Sequence, residues 1–194
     1  MIKIGITGGI GVGKTYVSNI LNKMSYPSFN ADLIAKKCVK ENKFLQESLI
    51  ENFGEEVFID NNINKEFLKN IIFNNSKALK KINSIIHPYV NVEFDLWCKQ
   101  QNSSIIFKEA AILFETGANK KLDFIICVSS NLDLRIKRIK KRDNKSTKDI
   151  MKIIDNQMEQ SNKEDLSDFI INNNENQSLL LQIQNILETI NEDS

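Results

Sequence analysis

At 194 residues and 41% hydrophobic content, the chain can bury one substantial core, with room for a helical insertion rather than a second large domain. A formal net charge of +1 gives no overall electrostatic case for nucleic acid or membrane as a partner. Cys38, Cys98 and Cys127 are odd in number and outside any C-x-x-C pattern, which argues against a disulfide framework or a zinc site and fits a reducing, cytoplasmic location.

Ile2, Ile4 and Ile6 alternate with Lys3 and Gly5, which predicts a strand. Five of the seven glycines then fall between Gly5 and Gly13, and Gly8-Gly9-Ile10-Gly11-Val12-Gly13-Lys14-Thr15 completes the pattern G-x-x-x-x-G-K-[ST]. Val17, Ile20, Leu21 and Met24 follow at helical spacing. Strand, glycine loop and helix are the order that polyphosphate binding requires. Glycines let backbone N–H groups turn inward, and the helix start adds unpaired N–H groups and the positive end of its dipole. Gly9, Gly11, Val12, Gly13, Lys14, Thr15 and Tyr16 are therefore the candidate nucleotide ligands. Lys14 can reach the β- and γ-phosphates of ATP, and Thr15 offers a hydroxyl to Mg²⁺.

A second strand is predicted at Ser28 to Asn30, and Asn30-Ala31-Asp32 opens a helix carrying Leu33, Ile34 and Val39. At a strand end, the Asp32 carboxylate can take a proton from an attacking hydroxyl or orient it. It equally suits the N-cap of that helix. From Ala31 to Gln101 the pattern is almost wholly helical, a long insertion suited to binding a second substrate or simply to packing. His87-Pro88 separates two apolar helical patterns there, proline at a first turn being enough to explain the break, and a lone histidine in such a setting is more often structural.

Further strands are predicted at Ser104 to Phe107, Phe124 to Val128 and Phe169 to Ile171. The longest apolar runs, Ala110 to Phe114 and Phe124 to Val128, are five residues each, too short for a membrane span, and no signal peptide is expected. Arg135 to Arg142 holds six basic residues in eight on a predicted helix, with Arg138 and Arg142 four apart on one face. Most such runs are solvated. This one leads into Asp143-Asn144-Lys145-Ser146, so a lid that brings guanidinium groups onto a γ-phosphoryl also fits, whereas no aromatic residue lies in the run to stack on bases. Asparagine is common throughout, read as coding bias, and Asn173 to Asn176 is expected to be a solvated loop before a final helix from Leu179 to Ile190. Together these elements predict an α/β fold, a five-stranded parallel sheet flanked by helices. Its core would comprise residues 1–30, 103–142 and 161–194, with a helical insertion over 31–102 and a short helical lid over 143–160.

The loop, Asn30-Ala31-Asp32, Phe53-Gly54, Ile86-His87-Pro88, Leu113-Phe114-Glu115, Arg138-Ile139-x-x-Arg142 and Gln157 occur in the order and at the separations of one family. The chain resembles the dephospho-CoA kinases from Ile2 to about Asn172. The resemblance implies transfer of the ATP γ-phosphoryl to the ribose 3′-hydroxyl of dephospho-coenzyme A, the last step of coenzyme A synthesis. It makes Asp32 the base or hydroxyl-orienting group, Lys14 the phosphate ligand, Thr15 the Mg²⁺ ligand, Arg142 the lid contact to the transferring phosphate and Arg138 a flank of ATP. The insertion would hold the pantetheine-bearing substrate, with His87 near it, and no nucleic acid, membrane or obligate protein partner is implied. Four positions depart from the family pattern: Asn30 and Ala111 stand where Asp and Pro are usual, and Lys65 and Lys152 where Arg is usual. Asn30 removes a negative charge beside Asp32, and the lysines lose a planar bidentate fork. A nucleoside or nucleoside monophosphate kinase would share the loop, the carboxylate and the basic lid. A GTP-binding module would need N-K-x-D, and Asn119-Lys120-Lys121-Leu122 ends in Leu. A nucleotide-binding scaffold without catalysis would have no need of Asp32 and Arg142.

Overall fold

Ile4 and Ile6 are wholly buried in β1 (Ile2–Thr7), the strand at the centre of a parallel sheet. The order is β2 (Ser28–Asn30), β5 (Ile105–Glu109), β1, β6 (Phe124–Ser129) and β7 (Phe169–Asn172). The five predicted strands are all present. A strand buried on both faces reads as a continuous apolar run rather than an alternation, as β6 does in Phe-Ile-Ile-Cys-Val. The computed structural model describes residues 1–60, 62–72 and 75–192, and the chain divides into two compact units, Met1–Phe29 with Gln101–Ser194, and Asn30–Gln100.

In the first unit, α1 (Lys14–Lys23) lays Val17 and Leu21 on the sheet, and α9 (Leu179–Glu192) adds Ile183, Leu187 and Ile190 to the same cluster. Each such buried side chain stabilises the fold by roughly 1.5–3 kcal/mol against exposure. The remaining helices of this unit are α6 (Leu132–Asp143), α7 (Thr147–Asp155) and α8 (Gln160–Asp165). Parallel register sets Ile6 of β1 beside Glu109 of β5 and Ile126 of β6, so the carboxyl ends of the three strands lie together.

The second unit contains α2 (Ala31–Glu41), α3 (Lys43–Phe53), α4 (Lys65–Ile72) and α5 (Ser76–Lys99), gathered on Val39, Leu45, Leu49 and Val57. Three features here differ from expectation. An antiparallel hairpin, β3 (Phe58–Ile59) and β4 (Asn62–Ile63), interrupts what reads as almost wholly helical sequence; each strand is only two residues, too short for a period-2 signal. Pro88 does not separate two helices but lies inside α5. Its missing N–H leaves the Ser84 carbonyl without a helical donor, a defect that packing of Val90 and Phe94 outweighs. Asparagine, finally, has a structural use beyond coding bias: the side chains of Asn30, Asn42, Asn64 and Asn75 accept from the N–H groups of Leu33, Leu45, Phe67 and Ala78 at 2.9–3.1 Å. They close the starts of four helices. Among the described residues, no helix is long and apolar enough to cross a membrane.

Candidate active site

The loop after β1 turns through Gly8, Gly11 and Gly13, whose φ angles of 134°, 83° and 98° lie in the range that favours glycine. Space is also restrictive: a Cβ on Gly8 would collide with the Val128 carbonyl, and one on Gly13 with the Asn173 side-chain amide. Val12 is fully buried in the sheet cluster, so of the candidate ligands it can act only through its backbone. Tyr16 is 62% exposed at the first turn of α1, its N–H donating to the Gly13 carbonyl at 3.0 Å. Lys14 is buried, and its Nζ donates to the carbonyls of Gly8 at 2.9 Å and Gly9 at 3.2 Å, folding an ammonium group back over the loop.

Thr15 Oγ1 donates to Glu109 Oε1 at 2.6 Å. Glu109 is buried at the carboxyl end of β5, and sequence reasoning missed it because the predicted strand stopped at Phe107. Lys108 and Glu109, charged and past the predicted strand end, are both buried within the strand. A hydroxyl and a carboxylate in contact at a phosphate loop are hard oxygen donors, the set that suits Mg²⁺ together with phosphate oxygens and water.

The basic run is not one solvated face. Arg135 is buried and its Nε donates to the Ile10 carbonyl at 3.0 Å; burial pushes its guanidinium below the usual pKa. Arg138 donates through Nη1 to Ser130 Oγ at 3.1 Å, with longer contacts to the Gly11 and Val12 carbonyls. Its Nη2 donates to the Asn173 carbonyl at 2.9 Å and to Glu175 at 3.1 Å. Arg142, four residues on, turns to its neighbour Asp143 instead, donating from Nε at 2.7 Å and Nη2 at 2.9 Å, and this hydrogen bonding raises its pKa. Arg138 and Arg142 thus have different partners despite their shared spacing. Asn173 also corrects an expectation: it is buried, and its amide donates to the Val12 carbonyl at 2.8 Å, so the segment after β7 begins as a brace on the loop.

The segment expected as a lid is anchored at its far end. Gln157 Oε1 accepts from the Ile10 N–H and Gln160 Oε1 from the Gly9 N–H, both at 2.9 Å. Glu115 accepts from the Met158 N–H at 3.0 Å and pairs with Lys163 Nζ at 2.8 Å, while Lys163, wholly buried, also donates to the Ala111 carbonyl at 2.5 Å. Only α7 and its flanks, between Asn144 in the left-handed region and Asn156, lie clear of these anchors. Cys127, buried behind the loop, has its thiol pushed up to about 11 by burial, which makes it inert.

Asp32 and His87 belong to the second unit. Asp32 is exposed on the first turn of α2, and the cap of that helix is Asn30, so the capping role does not fall to Asp32. His87 lies partly buried in mid-α5. Of the remaining departures, Lys152 is on α7, and the Lys65 side chain lies outside the described residues.

Comparison with known proteins gives a consistent set. The family model for dephospho-CoA kinase matches residues 2–178. A dephospho-CoA kinase of Bacteroides fragilis is 38% identical over 187 residues, 96% of this chain and 91% of that protein. Among solved structures, TT1252 from Thermus thermophilus superposes with a TM-score of 0.83 at 26% identity, covering 100% of this chain and 98% of that one. Dephospho-CoA kinase from Campylobacter jejuni gives 0.63 at 28% identity, covering 99% and 96%.

Proposed function

The chain belongs to the dephospho-CoA kinase family, from which we infer that it transfers the γ-phosphoryl of ATP to the ribose 3′-hydroxyl of dephospho-coenzyme A, giving coenzyme A and ADP. The observation that carries this reading at the site is the phosphate loop closed by buried Lys14, with the Thr15 hydroxyl held on Glu109 at 2.6 Å.

In the proposed mechanism, Lys14 exchanges the carbonyls of Gly8 and Gly9 for β- and γ-phosphate oxygens, and the loop amides around Gly11 and Gly13 take the polyphosphate. Asp32 accepts the proton of the 3′-hydroxyl as its oxygen forms the new bond to the γ-phosphorus and the bond to the bridging oxygen of ADP breaks. Exposed, and with no hydrogen bond to another described residue, its carboxylate is available for that proton. Arg142 leaves Asp143 to meet charge on the transferring phosphoryl as α7 closes, and Arg138 flanks the nucleotide beside Gly11 and Val12. Thr15 and Glu109 would hold Mg²⁺, which when bound offsets charge on the β- and γ-phosphates. His87 lies in the unit proposed to bind the acceptor, and the reaction is read as cytoplasmic, with no nucleic-acid, membrane or protein partner.

Purified protein with Mg-ATP should phosphorylate dephospho-coenzyme A far faster than nucleosides or nucleoside monophosphates. Equal or reversed preference overturns the reading in favour of another small-molecule kinase.

A further inference from the structure

Arg135 closes the first turn of α6 and is only 5% exposed. A buried cation gives up hydration that only an ion pair or a full set of hydrogen bonds offsets. Arg135 has neither. No carboxylate of the described residues lies within ion-pair distance of it, and Nε alone finds an acceptor among them, the Ile10 carbonyl at 3.0 Å. Glu164 favours the charged form through space, but its own carboxylate takes Gln160 Nε2 at 2.9 Å. Position adds a further cost, because the first turn of a helix is the positive end of its dipole. A guanidinium set here weakens the fold, and an anion nearby would turn each cost into a gain.

The guanidinium lies against the phosphate loop. Gly9 does not share the positive φ of Gly8, Gly11 and Gly13, so its missing side chain is a matter of space rather than of backbone angle. A Cβ on Gly9 would run into the Arg135 guanidinium and would stand 3.3 Å from Gln160 Oε1. The Gly9 carbonyl also accepts from Lys14 Nζ at 3.2 Å, so two buried cations meet at one glycine. Like charges gathered this closely raise the local potential, and in a site shielded from water that potential reaches bound charge with little screening.

We propose that Arg135 is a positioning residue for the nucleotide, a buried cation set against Gly9 and Ile10 whose charge acts through the loop on the polyphosphate. The assignment rests on the proposed binding of ATP at this loop and adds a second source of positive potential to Lys14. Arg135 touches no reacting atom; it makes the cradle more positive at the expense of the fold's own stability. Removing its charge therefore lowers affinity without lowering stability, the opposite of what loss of a purely structural brace does.

The test compares wild type with Arg135→Met, which removes the charge and keeps the bulk, and Arg135→Lys, which keeps the charge. Binding of Mg-ATP and Mg-ADP is measured by calorimetry, melting without nucleotide by circular dichroism, and KM for dephospho-coenzyme A by steady-state assay. Expected for Arg135→Met are a Kd for Mg-ATP raised about ten-fold, a smaller rise for Mg-ADP, a melting temperature no lower than that of wild type and an acceptor KM within about two-fold. Arg135→Lys should bind Mg-ATP within about three-fold of wild type. Wild-type affinity in a folded Arg135→Met overturns the assignment, and so does a lysine variant that binds as weakly as the methionine one, which would leave only the bond to Ile10. A methionine variant that melts well below wild type or fails to fold makes Arg135 a brace and overturns it too. Failure of wild type to bind Mg-ATP is a different outcome, which removes the functional reading itself.

Discussion

The two units hold themselves together differently. In the phosphate-loop unit, charged side chains are buried and committed: Lys14 to loop carbonyls, Arg135 to Ile10, Lys163 to Glu115 and Ala111. In the 30–100 unit, the described charges lie at the surface, four asparagine side chains close helix starts, and an apolar cluster on Val39, Leu45, Leu49 and Val57 sets the shape. Polyphosphate chemistry needs donors fixed in direction, which a hydrogen-bonded framework supplies. The acceptor-binding role proposed for the second unit asks instead for contact area, which aliphatic packing supplies.

The sharpest way to break this contrast is at Asp32, the one residue of the aliphatic unit given a chemical role. Asp32→Asn should lower kcat by about 10²–10⁴ while ATP affinity measured by calorimetry is retained. An unchanged kcat would confine chemistry to the other unit. Next in size is the buried pair. Lys163→Met should cost about 3–5 kcal/mol in chemical denaturation, because it leaves Glu115 facing the Ala111 carbonyl without its cation. A loss below about 1 kcal/mol would mean that the wiring of this unit is dispensable. The smallest effect belongs to the caps: Asn30→Ala should destabilise by about 1 kcal/mol and Asn30→Asp hardly at all, since both Asn and Asp cap well. Equal losses for the two would show that something other than capping holds Asn30.

The sheet was legible because its strands are short apolar runs between helices, and the loop because glycine spacing and Lys14-Thr15 have few other uses. The hairpin escaped because Phe58–Ile59 and Asn62–Ile63 are too brief for any period. Pro88 misled because local propensity argues for a break and only long-range packing overrides it. Glu109, Arg135 and Asn173 were illegible as site residues for a common reason: each is a polar residue whose burial depends on a loop distant in sequence, and nothing local distinguishes it from a surface one. Gln157 was visible only as part of a resemblance; its bond to the Ile10 N–H supplies the physical reason for its position.

The acceptors that Gln157 and Gln160 offer to Ile10 and Gly9 bear on the thermodynamics of the nucleotide's arrival. With these amides already satisfied, and Arg135 and Asn173 gripping the carbonyl side, the cradle is preorganised before its guest is present. Little main-chain freedom remains to be surrendered on association, so affinity for the polyphosphate reflects contact made rather than disorder lost.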